Sequence, residues 1–455
     1  MQRSLWLEEA LPEEQDAPPL EGNVHANVCI CGGGYSGLWT AIRLKEHEPS
    51  LNIVLLEADV CGGGASGRNG GFLLSWWHKF VSLENLCGTE EAVRLARACE
   101  AAVSAVGSFC ADHAIDAHYR RAGWLWTATS AAQIGAWAGT VSAIEDACDA
   151  HPFVELSREE VAERAGSPVH LAGVYEAISA TVQPALLARG LRRVALDRGV
   201  RIFEHSKVTA FTPRVCTPRG SVSAETVVIS IGAWIGRHNP AVAVLASDMV
   251  ATEPLDNPPL ASGTSCSDSR LLVNYYRATH DGRLAFGTGG GALAFAGHVT
   301  KIFEGVSPRA AEVESRLRAM YPRLADVRVV QSWTGPIDRT RTGLPYFQHQ
   351  GKLVLGVGYS GVGVSQTSLG GQILASLALD LDEEWAHCGL VRGPSSRFPP
   401  EPIRYVGGRL VRAAVARKER DEDAGRKPGW LTTRMASFAP PVFVPAPRES
   451  AATAR

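Results

Sequence analysis

The chain has 455 residues, of which 45% are hydrophobic and 20% are charged, and its formal net charge is -2. This length exceeds the size at which single hydrophobic cores usually stop growing, so we expect two domains, or one domain with a large insertion. The near-neutral charge and ordinary composition argue against nucleic acid as the main partner.

The N-terminal segment is acidic and rich in proline, and it lacks the apolar core of a secretory signal. The longest apolar runs, such as 227–231 and 353–357, are far too short to cross a bilayer. The ten cysteines include no C-x-x-C pair, and Cys29 and Cys31 fall within a predicted buried strand. We therefore expect reduced thiols, a cytoplasmic location and no membrane span, whereas the oligomeric state stays open.

In chain order, the predicted elements begin after a leader, residues 1–24, that lacks periodicity and is expected to be mobile or draped over the surface. A strand, a turn and a helix follow over 27–48, and a second strand ends at Glu57. Residues 89–116 and 131–150 predict helices, and an alternating stretch between them predicts a strand.

The second half of the chain mixes the same elements. Residues 183–211 predict a helix followed by a short strand, and a further buried strand runs into a turn at Gly232. Short strands between 245 and 295 predict an antiparallel sheet, and 307–321 predict a helix. Residues 351–379 repeat the opening order of apolar strand, glycine-rich turn and helix. The sequence therefore predicts two domains that are interleaved along the chain.

Three glycines, Gly32, Gly34 and Gly37, form the pattern G-x-G-x-x-G between the first strand and its helix. In a dinucleotide-binding turn they permit the tight bend, the close approach of a pyrophosphate and the packing of helix on strand. Alone, the pattern also fits a glycine-rich surface turn. Glu57 follows Gly37 by 20 residues, where an acid can accept hydrogen bonds from ribose hydroxyls. A dinucleotide is indicated, and nicotinamide and flavin both remain open.

A second glycine-rich loop, CGGGASGRNGGF at residues 61–72, bears on that choice. It has no role in a simple nicotinamide fold, but it would line the second half of a long, permanently bound cofactor. Here the sequence resembles the D-amino acid oxidase-like, or glycine oxidase and sarcosine oxidase-like, superfamily of FAD oxidoreductases, and within it the γ-glutamylputrescine oxidase-type amine oxidases. The resemblance covers about residues 25–380 and rests on ordered motifs that include SGRNGG, VVISIGAW, ATEPL, YYR…DGRLAFG and GYSGVGVSQTSLGG.

The resemblance implies an α/β protein in which a glutathione reductase-like, Rossmann-type FAD domain is interleaved with an antiparallel-sheet substrate domain. The FAD-binding domain is expected from residues 25–80, 151–235 and 330–385, and the substrate domain from 81–150 and 236–329. Residues 386–455 are a C-terminal extension, which predicts a helix packed on the FAD domain and then an extended tail.

The resemblance also assigns residues to the cofactor. It implies that the Ser66 to Gly71 loop follows the pyrophosphate and isoalloxazine, that the Val208 backbone contacts adenine, and that the last helix begins beneath the flavin pyrimidine. There the positive end of the helix dipole stabilises reduced flavin. The expected FAD residues are Gly32, Gly34, Tyr35, Ser36, Gly37, Glu57, Ala58, Gly64, Ser66, Arg68, Asn69, Gly70, Gly71, Val208, Gly232, Trp234, Gly358, Gly361, Val362, Gly363 and Val364. No metal site is expected.

The implied reaction is oxidation of a small primary or secondary amine, with O2 as the electron acceptor. A hydride leaves the α-carbon of the neutral amine for flavin N5, the imine hydrolyses, and the reduced flavin yields H2O2. Alternatives are a dehydrogenase with another acceptor, an oxidase of an amino acid, aminophosphonate or N–N bonded amine, and a flavoprotein that binds a ligand without turnover. Cys61 precedes the glycine run, unlike the cysteines that carry covalent flavin in some relatives, so a free thiol is expected.

Tyr275, Arg277 and His78 are the candidate catalytic residues. A predicted hairpin puts Tyr275 and Arg277 on one face of the sheet and Tyr276 on the other. Arg277 either clamps an anionic substrate group or braces the sheet, and both tyrosines also fit the core. His78, beside two tryptophans, would accept the ammonium proton, although such a histidine is more often a buried core residue.

Amino acid oxidases of this superfamily bind the substrate carboxylate with an arginine, in the segment that corresponds to residues 333–347. Counting back from Gly343, that position is Ile337, which indicates a substrate other than a simple α-amino acid. Arg339 and Arg341 are close enough in sequence that a shifted register would restore the arginine.

Overall fold

The computed structural model describes residues 3–12 and 15–440 of the chain. The helices are α1 (Leu5–Ala10), α2 (Tyr35–His47), α3 (Phe80–Cys87), α4 (Thr89–Asp112), α5 (Ala138–Ala147), α6 (Arg158–Ala165), α7 (Pro184–Asp197), α8 (Ala310–Met320), α9 (Gly363–Ala378), α10 (Ile403–Asp423) and α11 (Trp430–Ala436). The strands are β1 (Gly22–Cys31), β2 (Ile53–Leu56), β3 (Phe72–Leu73), β4 (Trp124–Ala128), β5 (Val154–Leu156), β6 (Ala172–Glu176), β7 (Ala180–Thr181), β8 (Arg201–Phe203), β9 (Val215–Cys216), β10 (Gly220–Ile229), β11 (Ala243–Thr252), β12 (Ser265–Asp268), β13 (Asn274–Ala278), β14 (Leu284–Thr288), β15 (Val329–Arg339), β16 (Tyr346–Gln350) and β17 (Leu353–Val357).

A mainly parallel sheet carries the opening motif. Its order is β16-β17-β10-β1-β2-β8, with β9 paired to β10. The central strand β1 is parallel to both β2 and β10, and β2 is buried along its whole length, as its unbroken apolar sequence predicts. Because the carboxyl ends of parallel strands share one edge of the sheet, Gly32, Glu57 and Ser230 come together there.

An eight-stranded sheet forms the second layer, in the order β15-β11-β14-β13-β12-β4-β6-β5. It is antiparallel except where β12 lies parallel to β4. Tyr276 faces the core beneath this sheet, stacked on Phe286 with 5.1 Å between ring centroids, whereas Tyr275 faces a cavity on the other side. The predicted fold class and the predicted alternation of these tyrosines are therefore confirmed.

Three strands belong to the eight-stranded sheet, although the predicted domain division assigns them to the FAD-binding domain. β5 and β6 lie within 151–235 and β15 lies almost wholly within 330–385, yet all three pair in the eight-stranded sheet. The cause is long-range pairing, since β6 pairs with β4 and β15 pairs with β11 along nearly its full length. The rest of the division stays a prediction.

The N-terminal leader is not draped loosely where the structure describes it. Helix α1 buries Leu5, Trp6 and Leu7, and Ser4 caps it by accepting a hydrogen bond from the Leu7 N–H at 3.2 Å. Trp6 packs edge-on against Trp333, with 5.8 Å between ring centroids. The expectation was wrong because a helix of six residues is too short to show a periodic pattern.

The C-terminal extension also differs from its prediction. Helix α10 packs against the eight-stranded sheet and not on the FAD domain, since Val415 clusters with Leu272 and with Ala436 of α11. Asp423 at its end pairs with Arg270, which follows β12. The predicted extended tail, residues 438–447, lies mostly outside the described residues. The helix predicted at 131–150 is shorter, because α5 begins only at Ala138.

Candidate active site

A cavity of about 1770 Å³ runs between the two sheets. A typical site for one small molecule has roughly 300–1,000 Å³, so this cavity has room for a long cofactor together with a substrate. We call the part lined by the first glycine turn, Glu57, Val208 and residues 63–70 the cofactor end. The part lined by Phe72, Tyr275 and Ile337 and by the C-terminal extension is the substrate end.

The first glycine turn admits no side chain at two of its positions. A Cβ on Gly32, whose φ is +112°, would lie 2.6 Å from the Ser230 carbonyl oxygen, and one on Gly37 would lie 1.9 Å from the Gly32 oxygen. Gly37 does not line the cavity, and its close approach to Gly32 holds helix α2 against the turn. The Tyr35 N–H donates to Ser66 Oγ at 2.9 Å, which joins the two glycine-rich loops. Gly34 caps α2 without a side-chain hydrogen bond, leaving the helix N-terminus available to an anion.

Glu57 ends β2 on the cavity wall, where the dinucleotide pattern predicts it. Its carboxylate accepts hydrogen bonds from the N–H groups of Gly33 at 2.7 Å and Asp59 at 2.9 Å. Burial raises the pKa of this carboxyl in spite of those bonds. Ala58 beside it lines the same stretch of wall.

The second glycine-rich loop is held in one shape by Asn69. The Asn69 amide donates to the Ser66 oxygen at 2.8 Å and accepts from the Gly71 N–H at 2.7 Å. Two tryptophans from distant segments fix the loop from outside. Trp6 Nε1 donates to the Asn69 oxygen, and Trp333 Nε1 to the Arg68 oxygen, each at 2.9 Å.

Arg68 supplies a buried positive charge inside this loop. Its guanidinium donates to the backbone oxygens of Gly63 at 3.1 Å and Thr334 at 3.3 Å. Its Nη2 is buried and has no hydrogen-bond partner among the residues that the structure describes. Burial lowers the pKa of Arg68, but an arginine remains charged at neutral pH. This orphaned donor on the cavity wall fits an anionic ligand.

The remaining predicted cofactor residues divide into two groups. Most line the cavity, namely Tyr35, Ser36, Gly64, Ser66, Gly70, Val208, Gly232, Trp234, Gly361, Val362, Gly363 and Val364. Gly71 and Gly358 do not line it. A Cβ on Gly71 would lie 2.1 Å from the Val182 oxygen, and the Gly358 N–H donates to Asp338 at 2.7 Å. Both therefore shape backbone behind the wall.

Residues 27–377 match the family described as "DAO: FAD dependent oxidoreductase". The chain belongs to this family. The DAO-family chain is also 30% identical over 395 residues to a probable oxidoreductase OrdL of Rhizobium meliloti (strain 1021), covering 83% of this chain and 89% of that one. It is 28% identical to the gamma-glutamylputrescine oxidoreductase of Escherichia coli (strain K12), covering 86% and 91%. Glycine oxidase from Geobacillus kaustophilus shares the fold, with a TM-score of 0.65, 21% identity, and 81% and 99% coverage.

The cofactor of a DAO-family enzyme is FAD, and the residues at the cofactor end fit it. The glycine turn and the α2 N-terminus suit a diphosphate, and the buried Nη2 of Arg68 is a donor without a partner there. The N-terminus of α9, at Gly363, reaches the cavity from the opposite side. Cys61 lies outside this wall, and burial raises its thiol pKa well above the ordinary value.

Tyr275 is the one predicted catalytic residue that the structure places on the cavity wall. Its ring packs on Gly70 of the second glycine-rich loop, residues 61–72, which we call the flavin loop. The ring also stands edge-on to Phe72, with 6.0 Å between ring centroids. Its hydroxyl shares a hydrogen bond of 2.8 Å with Ser247 Oγ. Burial raises the pKa of the phenol above its usual range, so Tyr275 stays neutral in the physiological range.

Arg277 and His78 lie away from the cavity wall. The Arg277 guanidinium is buried over the Trp6 ring, 5.0 Å from its centroid, which agrees with a bracing role. His78 is only 2% exposed and packs against Trp124, with 5.6 Å between ring centroids. Burial lowers the pKa of His78 well below its ordinary value, so the ring is neutral. Its neighbours Trp76 and Trp77 are core residues.

Ile337 occupies the wall beside the start of α9. A Cβ placed on Gly361 would lie 3.2 Å from Ile337 Cδ1, so the two residues are in direct contact. Arg339, two positions along β15, donates from Nη1 to the Ser360 oxygen at 2.8 Å. Arg341 is exposed at the edge of the cavity. An isoleucine therefore faces this part of the site, and which of these positions corresponds to the carboxylate-binding arginine of the family stays a prediction.

Sequence reasoning missed two parts of the site, α1 and the C-terminal extension. Residues between 398 and 440 line the substrate end of the cavity, although the match to the family ends at residue 377. Among residues 3–12 and 15–440, no helix is long and apolar enough to span a membrane. The same residues contain no cluster of three side chains suited to hold a metal ion.

Proposed function

We propose that this FAD-dependent oxidoreductase oxidises a small primary or secondary amine at the carbon next to nitrogen. The carbon loses a hydride, the resulting imine is hydrolysed to a carbonyl product, and O2 takes up the electrons as H2O2. The name of the Escherichia coli relative, gamma-glutamylputrescine oxidoreductase, supports a substrate with a C–N bond to oxidise.

The observation that carries the proposal is the chemistry of the wall between the flavin loop and α9. Phe72, Leu74, Leu245 and Ile337 are apolar, and Tyr275 is neutral. The resemblance to amino acid oxidases puts Ile337 at the position of their carboxylate-binding arginine, which supports a substrate other than an α-amino acid. Such a wall favours a neutral amine over an ammonium ion, because burying an unpaired charge is costly.

Bound FAD supplies the two-electron oxidant that this chemistry requires. The chain's own residues bind and orient the substrate and exclude water. Tyr275 positions the amine, since its ring packs on Gly70 of the flavin loop and its hydroxyl is held by Ser247. The neutral phenol can donate to or accept from an amine nitrogen, but it does not serve as a strong base.

Anaerobic titration of the yellow holoenzyme with a panel of amines and α-amino acids tests the proposal. We expect primary or secondary amines to bleach the flavin absorbance, air to restore it with release of H2O2, and α-amino acids to bleach it poorly. An Ile337→Arg variant should gain bleaching by α-amino acids if position 337 excludes them.

Bleaching by α-amino acids alone would contradict the assignment of Ile337. Bleaching that air does not reverse quickly would replace the oxidase by a dehydrogenase with another acceptor. Flavin that no compound of the panel reduces would overturn the proposal as a whole.

A further inference from the structure

The C-terminal extension builds the far wall of the substrate end. Residues of α10 and α11 line the cavity, among them Gly408, Val411, Arg412, Val415 and Met435. They lie across from Leu271, Leu272 and Gly290 of the eight-stranded sheet and its loops. The match to the family ends at residue 377, so this wall lies outside the matched residues.

Several polar contacts fix the extension in place. Asp423 forms a bidentate pair with Arg270, at 2.8 and 2.6 Å, and Glu419 accepts from the Leu272 N–H at 3.0 Å. At the other end of α10, Glu401 accepts from the Ala296 N–H at 3.0 Å. A wall that is tied down at both ends can present side chains to a substrate in a defined position.

The charged groups on the wall at the substrate end are nearly all arginines. They are Asp338, Arg339, Arg341, Arg404, Arg412 and Arg434. The Asp338 carboxylate accepts a hydrogen bond from the Gly358 N–H, Arg404 pairs with Glu401, and Arg339 donates a hydrogen bond to the Ser360 oxygen. Arg341, Arg412 and Arg434 form no ion pair with any residue that the structure describes. The substrate end is therefore cationic.

Of these three arginines, Arg412 is the one that hydrogen bonds connect most directly to Tyr275. Its Nε donates to the Gly290 oxygen, which leaves both Nη groups without a hydrogen-bond partner among the described residues. Gly290 follows the last residue of β14, Thr288, whose oxygen accepts from Ser247 Oγ at 3.4 Å. Ser247 in turn holds the Tyr275 hydroxyl. A short chain of contacts through Gly290, Thr288 and Ser247 therefore connects Arg412 to the Tyr275 hydroxyl, and both residues line the same cavity.

We propose that Arg412 binds an anionic group at the far end of the substrate, so that the preferred substrates are amines carrying a distal carboxylate or phosphonate. This inference rests on the proposed amine oxidation. The apolar wall at Phe72 and Ile337 takes the reacting end, and Val411 and Leu272 line the path along which a short alkyl chain connects it to the anion. A guanidinium with two free Nη groups matches an oxyanion bidentately.

The test compares pentylamine with 5-aminopentanoate and 5-aminopentylphosphonate as substrates of the holoenzyme. Pentanoate and pentylphosphonate, which have no amine, are titrated separately by their effect on the flavin absorption spectrum. The variant is Arg412→Gln, and the matched control is Arg417→Gln, an exposed arginine on the same helix that does not line the cavity. The two ω-anions show whether the site prefers carboxylate or phosphonate.

We expect kcat/KM for at least one amino-anion to exceed that for pentylamine by at least about tenfold, and Arg412→Gln to remove this advantage, since a charge-assisted hydrogen bond has this magnitude. Pentylamine turnover should fall far less than amino-anion turnover, and the variant should still bind flavin. Arg417→Gln should leave every value within about twofold. If Arg412→Gln retains no flavin, Arg412→Lys, which keeps the charge, should retain the preference.

Equal kcat/KM for pentylamine and both amino-anions in the wild-type enzyme would overturn the inference and leave amine oxidation intact. The anion site is also excluded if Arg412→Gln and Arg417→Gln weaken amino-anion turnover equally. If pentanoate or pentylphosphonate perturbs the flavin in an Arg412-dependent way and yet no amine bleaches it, the anion site stands and the proposed reaction fails.

Discussion

The two ends of the cavity are built from different kinds of atoms. The cofactor end consists largely of backbone, because glycine turns after parallel strands bring N–H groups together at one sheet edge. The substrate end consists of side chains from segments far apart in the chain, among them Phe72, Tyr275, Ile337 and Arg412. Backbone geometry tolerates little substitution, whereas side chains on a wall can be exchanged one at a time. The difference predicts that changes at the cofactor end abolish function and that changes at the substrate end modify it.

The largest effect is expected from Gly37→Ala at the cofactor end. The new Cβ would lie 1.9 Å from the Gly32 oxygen, so the turn and α2 cannot keep their spacing. We expect the purified variant to retain no FAD, as measured by visible absorbance. Gly139→Ala on α5 is the control, because nothing lies within 4 Å of its Cβ and the helix gains up to about 1 kcal/mol. Normal flavin content in Gly37→Ala would show that the turn is more adaptable than its geometry indicates.

The next largest effect is expected at Glu204, which supports the cofactor end from behind. Its fully buried carboxylate accepts from the N–H groups of Cys61 at 2.7 Å and Ala17 at 2.5 Å and pairs with Arg189 and Arg192. Glu204→Gln removes the negative charge that pairs with these two buried arginines. We therefore expect the free energy of unfolding to fall by about 3–5 kcal/mol. Glu253→Gln, in an exposed pair with Arg328, should cost far less than Glu204→Gln.

The pH dependence of this loss provides a second measurement. Burial alone would raise the pKa of Glu204, but the bonds from Cys61 and Ala17 and the two arginines lower it below the ordinary value of 4.5. A carboxylate with a lowered folded-state pKa contributes its full stability above the unfolded-state pKa and loses it as the pH falls through the folded-state value. Denaturant titrations should therefore show the gap between wild type and Glu204→Gln narrowing below about pH 4.5. If the difference in unfolding free energy between wild type and Glu204→Gln grew at lower pH, another group would be responsible for the stabilisation.

The contrast between the two ends of the cavity also explains which site residues could be predicted from the sequence. Gly32, Gly37 and Glu57 were identifiable because a dinucleotide turn imposes fixed spacing on a short stretch of chain. Tyr275 was placed correctly on its face because strand alternation is a local rule. His78 was not, because nothing local distinguishes a histidine that faces substrate from one buried against Trp124.

Long-range packing accounts for the other differences. Trp6 reaches the flavin loop only because α1 folds back across the chain to bond the Asn69 oxygen. Arg412 reaches the cavity because α10 is tied to the eight-stranded sheet by Asp423 and Arg270. Neither contact leaves a periodic or spaced pattern in the sequence, so tertiary structure was needed to find them.

The smallest effect is expected from Tyr275→Phe, and its neighbour offers a matched contrast. Tyr275 and Tyr276 lie on opposite faces of β13, one on the cavity wall and one in the core, where the Tyr276 hydroxyl contacts His170 Nε2 at 3.0 Å. Each substitution removes one hydroxyl with a net value of about 0.5–1.5 kcal/mol. In Tyr275→Phe, this loss should appear as a roughly two- to twelvefold decrease in amine turnover per bound flavin. Because the bond to Ser247 is lost as well, the free energy of unfolding should fall by up to about the same amount.

In Tyr276→Phe, a loss of the same size should lower the denaturation midpoint, while turnover per bound flavin stays at the wild-type value. The two assays, run on both variants, separate a residue that positions substrate from one that only packs the sheet. Equal loss of turnover in the two variants would mean that the Tyr275 hydroxyl acts only through the sheet. Tyr275 would then belong with Arg277 among the residues that brace the site, and the substrate end would depend on its apolar wall and on Arg412 alone.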